Sequence, residues 1–175
     1  AASILAAIQS PSTLELIESM RAAGARHGTV VVDSAPYSHP EYPEARTATP
    51  LLLRVTPAAR ELYCEERFGP VGFVIETDDA AAALRTATSD VRAAGGITAF
   101  AYSTRDDFLA AAESAYAAAG AQLTCNLTGP MPLNFAASYS DYHVTGLNPA
   151  GNATLTDASF VAARFRIAQS RRPVA

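Results

Sequence analysis

Between Ser12 and His27 the apolar side chains return every three to four positions, with Leu14, Ile17 and Met20 on one side and Leu16 beside them. That spacing follows the turn of an α-helix and predicts one here, capped by Ser12 or Thr13 and ended by Gly28. The period then shortens. Thr29–Asp33 is a β-branched run suited to a buried strand, and Leu51–Val55 is a second apolar run of strand length. Thr56-Pro57 opens a short helix with proline at its favoured first position. Val71–Glu76 reads as a third strand, and Thr77 or Asp78 caps a long helix that runs through Ala94 to the stop at Gly95-Gly96. Ile97–Tyr102 reads as a fourth strand. Ser103 or Thr104 then caps a helix over Arg105–Ala119, with Phe108, Ala112, Ala115 and Ala119 along one side. Gly120 ends it, and Ala121–Leu127 is a fifth strand.

Strand and helix alternate from residue 28 to residue 127, the signature of an α/β fold in which helices cover a parallel sheet. The 175 residues are expected to form a single partial domain. Its core is 28–127; a Gly-, Pro- and Asn-rich loop spans 128–153; and 154–175 holds a short helix or turn at Asp157–Ala163 and an edge strand at Phe165–Gln169. The first helix starts with no strand leading into it, so the beginning of the sequence reads as the middle of a domain. Between the first two strands lies Ser34–Pro50, with four prolines and the rings of Tyr37, His39 and Tyr42. A surface loop of that length is often functional.

Composition narrows the partners. The net charge is −4, and the one arginine cluster is Arg171-Arg172, so no nucleic acid is expected. No apolar run nears the roughly 20 residues that span a bilayer, and Ala1–Ile8 lacks a charged leader and a cleavage site. A cytoplasmic location is expected, with no membrane partner. The two cysteines, Cys64 and Cys125, are then free thiols. All 13 positive side chains are arginines, which rules out a phosphate loop ending in Lys-Ser or Lys-Thr. A dinucleotide glycine fingerprint, Cys-x-x-Cys, His-Glu-x-x-His and Gly-x-Ser-x-Gly are missing as well.

Two local clusters invite chemistry without supporting it. Ser138, Ser140, Asp141 and His143 hold the residue types of a hydrolase triad, but a triad needs side chains that converge from separate elements. His39, Glu41 and Glu44 could hold a metal weakly, and read better as a solvated loop. No metal site and no catalytic residue is assigned.

One string is more specific: Glu65-Glu66-Arg67-Phe68-Gly69-Pro70-Val71, between a short helix and a strand. Such junctions are where α/β proteins bind ligands. A carboxylate can accept hydrogen bonds from both hydroxyls of a ribose, and an aromatic face two residues on can pack on a flat ring. Glu66 is otherwise a turn residue and Phe68 a core residue. The string resembles the Glu-Glu-x-Phe-Gly-Pro-Val hallmark of the aldehyde dehydrogenase superfamily, in the C-terminal part of its catalytic domain. The likeness continues through Leu84 and Ala94–Phe100, through Arg105–Asn126, at Tyr142–Gly146 and at Phe165–Gln169, and covers most of residues 50–170. Residues 135–171 are most similar to the phenylacetic acid degradation branch.

The resemblance implies the family's catalytic-domain fold, with Glu66 on the nicotinamide-ribose hydroxyls and Phe68 beside the nicotinamide, for NAD or NADP. It implies an aldehyde or a CoA-linked semialdehyde as substrate, in aromatic catabolism. It also implies a homo-oligomer in which Phe165–Gln169 pairs with a neighbouring subunit. The family's nucleophilic cysteine, its base and its dinucleotide-binding domain all precede the stretch that matches this sequence. Cys64 matches no nucleophile position, and Cys125 reads as a small core residue. Without an activated thiolate and a poised base, this stretch is not expected to oxidise an aldehyde unaided. The alternative expectation is a non-catalytic oligomerisation or interaction module of the same fold, with the last strand as its docking edge.

Overall fold

The computed structural model describes residues 5, 7–96, 98–128, 133–134, 139–140 and 168–170. The chain divides into two compact units, Ala1–Asp78 and Asp79–Ala175. Each carries its own three-stranded sheet.

In the first unit, helix α1 spans Pro11–His27. It starts one residue ahead of the expected position because Pro11 takes the first turn and Ser10, rather than Ser12 or Thr13, caps it by accepting from the Ser12 N–H. Its buried face carries Ile17, Met20, Ala23 and Gly24, with Leu14 and Leu16 packed at the margin. Beneath it lie strands β1 (Gly28–Val32), β2 (Leu51–Val55) and β3 (Val71–Ile75), in that order across the sheet. The central strand β2 buries Leu51, Leu53 and Val55 and turns Arg54 outward, the period-2 alternation of a pleated strand.

Two expectations change at β1. The sequence predicts a buried strand of a parallel sheet, whereas β1 is an exposed edge strand antiparallel to β2. A parallel return needs a crossover, and no helix lies between Val32 and Leu51 to make one. The central position, with a neighbour on each side, goes to β2, and Val31 on the edge strand is 50% exposed, at an irregularity in the register between Val30 and Val32. A bulge of this kind blunts an open sheet edge. Between β2 and β3 a 3-10 turn (Pro57–Ala59) and the short helix α2 (Arg60–Tyr63) do make a crossover, and the two strands run parallel.

The second unit keeps the parallel pattern. Helix α3 (Ala80–Ala94) is capped by Asp79, which accepts from the Ala82 N–H at 2.6 Å, in place of Thr77 or Asp78. Strand β4 (Thr98–Ala101) leads through α4 (Asp106–Ala119) to β5 (Gln122–Cys125), parallel to β4. The buried stripe of α4 is Leu109, Ala112, Tyr116 and Ala119, turned by one residue from the expected face, so that Phe108 sits only at its margin. No side chain caps α4: its N-cap is Arg105, whose N–H donates to the Ser103 hydroxyl. Gly120 ends the helix at φ 86°, a left-handed conformation that glycine adopts without a Cβ clash. These elements enclose a second core of Ala99, Ala101, Leu123 and Cys125 under α4.

Strand β8 (Ala168–Ser170) pairs parallel to the far side of β5. The C-terminal strand therefore joins this chain's own sheet through one side. Strands β6 (Leu133–Asn134) and β7 (Tyr139–Ser140) form a small antiparallel pair within the stretch expected to be loop. The turn or helix expected at Asp157–Ala163, and Tyr142–Gly146, lie outside the described residues. No described helix is long and apolar enough to cross a membrane.

Candidate functional site

The Glu65–Pro70 string occupies the irregular link between α2 and β3, and its backbone is pinned at the C-terminal end. The Gly69 N–H donates to the Arg67 carbonyl at 2.9 Å, and the Val71 N–H donates to that of Gly69 at 2.8 Å, two successive three-residue turns. The Pro70 carbonyl accepts from the Leu51 N–H at 2.8 Å, so the end of the string is also the start of the sheet. Gly69 presses against α1, where a Cβ would lie 3.0 Å from Thr13 Cγ2 and 3.3 Å from Leu16 Cδ2. No bulkier residue fits there without displacing the helix side chains.

The two carboxylates have different fates. Glu65 pairs with Arg67 at 2.7 Å, and the Arg67 side chain is only 20% exposed. The Arg67 Nε is buried without an acceptor. Glu66 is exposed, and its carboxylate makes no ion pair or hydrogen bond among the described residues. It is neither buried in a core nor held by the neighbouring arginine. Phe68 is 79% exposed, the most exposed of the large apolar side chains described.

Phe68 rims a cleft of about 400 Å³. One wall is the N-terminal segment with Leu5, Ile8 and Gln9; Ala48 and Pro50 form another; Gly69 and Pro70 close the side beside the ring. Glu66 is not among the lining residues. The structure thus sets Phe68 on an open, mainly apolar cleft and Glu66 in solvent two residues before it.

The long loop 34–50 builds the cleft from behind, a part of the site that its proline and tyrosine content did not reveal. Arg21 on α1 holds the loop's start: its Nε donates to Asp33 at 2.6 Å, its Nη2 donates to the Ser34 carbonyl at 2.8 Å, and it also pairs with Glu18. The hydrogen bonds that Arg21 donates to Glu18 and Asp33 hold its guanidinium above the ordinary pKa, and the contact with Arg21 holds the Asp33 carboxyl below the usual carboxylate range. Thr47 and Thr49 fold the loop on itself through Tyr37, Ser34 and Ala35. His39 accepts the Glu41 and Tyr42 N–H groups on Nδ1 and packs at a tilt against the Tyr42 ring, so it organises a turn. No trio of metal-ligating side chains occurs among the described residues.

Cys64 is half-buried, and Cys125 lies fully inside the second core, the place of a small apolar residue. Asn126 adopts φ 54° just after β5; its side-chain amide accepts from the Ser103 N–H at 2.9 Å and donates to the Ser103 carbonyl at 3.0 Å, tying the ends of β4 and β5 together. Ser138, Asp141 and His143 lie outside the described residues.

Comparison with known proteins agrees with the motif. The model of the aldehyde dehydrogenase family matches residues 2–125. A crystal structure of an NAD-dependent aldehyde dehydrogenase from Burkholderia multivorans superposes with a TM-score of 0.72 at 42% identity, over 91% of this chain. The chain spans 28% of that protein's length. No curated protein matches.

Proposed function

We propose a role for this chain from one premise: it belongs to the aldehyde dehydrogenase family. The role is to supply the nicotinamide end of a dinucleotide site in an enzyme that oxidises an aldehyde to an acid. The observation that carries the proposal is the pairing of an unengaged carboxylate, Glu66, with a solvent-facing ring two residues later that rims a cleft.

Each group fits its part. A free carboxylate offers two oxygens to the two hydroxyls of a ribose, and charge-assisted hydrogen bonds of this sort are the strong ones. Arg67 binds Glu65, so it does not compete for Glu66. Phe68 offers one open face to a planar ring, and burial of that face excludes water from one side of it. When bound, the dinucleotide supplies the hydride acceptor. The residues of this chain then bind and orient: Glu66 fixes the sugar, Phe68 the plane of the ring, and positioning of this kind contributes to rate through geometry. The nucleophile and base come from outside these 175 residues.

The similarity to an NAD-dependent enzyme favours NAD as the cofactor, with NADP the other candidate. The finer parts of the proposal are a phenylacetate-type or CoA-linked aldehyde, a cytoplasmic setting, a homo-oligomer, and residues 1–175 as one partial domain of a longer protein. Calorimetric titration of NAD into the longer protein that contains this chain tests the central claim. Saturable binding is expected, and Glu66→Gln, which keeps the shape and removes the charge, is expected to weaken it about 10- to 100-fold, the worth of ~1.5–3 kcal/mol in hydrogen bonds to an ionised group. Equal binding by wild type and Glu66→Gln would rule out the assigned role.

A further inference from the structure

One wall of the cleft that Phe68 rims belongs to no helix or strand. Residues 7–10 are irregular backbone, and the described hydrogen bonds that hold the wall come from a distant part of the loop. Arg46 makes three of them. Its carbonyl accepts from the Ile8 N–H at 2.7 Å, and its Nη1 donates to the carbonyls of Ile8 and Gln9, both at 3.1 Å. Tyr37 adds a fourth, its hydroxyl donating to the Leu5 carbonyl at 2.8 Å. The loop that presents these groups is in turn fixed to α1 through Arg21, Asp33 and Ser34.

We propose that Arg46 is a positioning residue for the ring that packs on Phe68: its guanidinium holds Ile8 and Gln9 in place and so sets the width of the cleft across which the ring must fit. The inference rests on the dinucleotide reading for the identity of the ring. An irregular wall without the clamp would have to be ordered by the ligand itself, and the free energy of that ordering is lost from binding. Arg46 is exposed and touches the wall through main-chain carbonyls, which water can solvate in its absence. Its replacement therefore leaves the cores of the fold intact.

Arg46→Met keeps the stem and removes the donors, whereas Arg46→Lys returns a cation able to reach a carbonyl. Two readouts are needed, amide exchange at Ile8 in the free chain and calorimetric binding of NAD. For Arg46→Met, exchange about tenfold faster at Ile8 and NAD binding about tenfold weaker are expected, each the equivalent of about 1.4 kcal/mol, with partial recovery of both in Arg46→Lys. Unchanged exchange at Ile8 overturns the clamp whatever NAD does. Faster exchange with unaltered NAD binding, while Glu66→Gln still weakens it, overturns the positioning role and spares the dinucleotide reading. Absence of NAD binding by the wild-type longer protein that contains this chain removes the dinucleotide reading and this inference with it.

Discussion

Gly28→Ala tests how tightly the first sheet is closed against the end of α1. At this position an added Cβ would lie 2.0 Å from the Arg54 carbonyl oxygen, 3.0 Å from its carbon and 3.0 Å from Val55 Cγ1. Close carbon–oxygen contacts in sheets sit at ~3.3–3.6 Å, so the two strands must part by more than about 1 Å at that point. The obstacle is backbone, which no rotamer change relieves. Gly28 is paired with Val55 in the sheet and its N–H also closes α1 on Gly24, so the displacement strains a strand pair and a helix end together. Overpacking costs ~1–3 kcal/mol and a weakened ladder bond about 1 kcal/mol. The reduced freedom of the unfolded chain returns ~0.4–1 kcal/mol. The net is a loss of about 2 kcal/mol. With a urea m-value of about 2 kcal/mol/M, the midpoint should fall by about 1 M. A midpoint within error of wild type would mean that β1 is free to shift, and the account of this edge would fail.

The remaining predictions concern single contacts. Asp79→Ala removes the cap of α3 and should cost about 1 kcal/mol, read as a lower melting temperature, with Asp79→Asn largely spared. Asp33 has a carboxyl held below its ordinary pKa by Arg21, so its contact stabilises the fold above the normal carboxylate range and is lost as pH falls through the depressed value. Asp33→Asn should flatten the acid limb of the stability–pH profile through a small loss of stability near neutrality that vanishes below the depressed pKa. Because the pair is exposed, a large change at pH 7 would contradict its assignment as a surface contact.

Elements governed by short-range pattern were legible in the sequence. Leu51–Val55 is a strand with the expected bounds, and the helices through Ala94 and Ala119 end where glycine was expected to end them. Strand direction was not legible in the same way, because an apolar run looks alike in parallel and antiparallel pairs. The antiparallel return of β1 follows from what the 18 residues between Val32 and Leu51 fail to form. The caps moved by one or two residues because several Ser, Thr and Asp side chains compete at each helix start and backbone geometry chooses among them. The α4 stripe turned by one residue since alanine, buried or exposed, carries little information in a pattern; Tyr116 and Leu109 decided the face. The motif pointed to Glu66 and Phe68, yet nothing in it told which glutamate Arg67 would take. The clamp on the cleft wall was hidden for a plainer reason: Arg46 and Ile8 are 38 positions apart, and a side chain bonding to a main-chain carbonyl leaves no mark in residue type.

The geometry of the string explains why its polar and aromatic members stay available. Pro70 has no N–H to give, and its carbonyl is taken by Leu51, so β3 cannot extend backward past Val71. The preceding residues are thereby kept out of the sheet. Along them exposure alternates, with Glu66 outward, Arg67 inward and Phe68 outward. Arg67 pays part of its burial by binding Glu65, and the choice of that partner leaves the next carboxylate free. Gly69 lets the link lie close on α1, where a Cβ would crowd the Thr13 and Leu16 side chains. Under the proposed function the exposed Phe68 ring is one half of a contact whose other half is a bound ring, carried on a backbone that two successive turns fix at Gly69 and Val71.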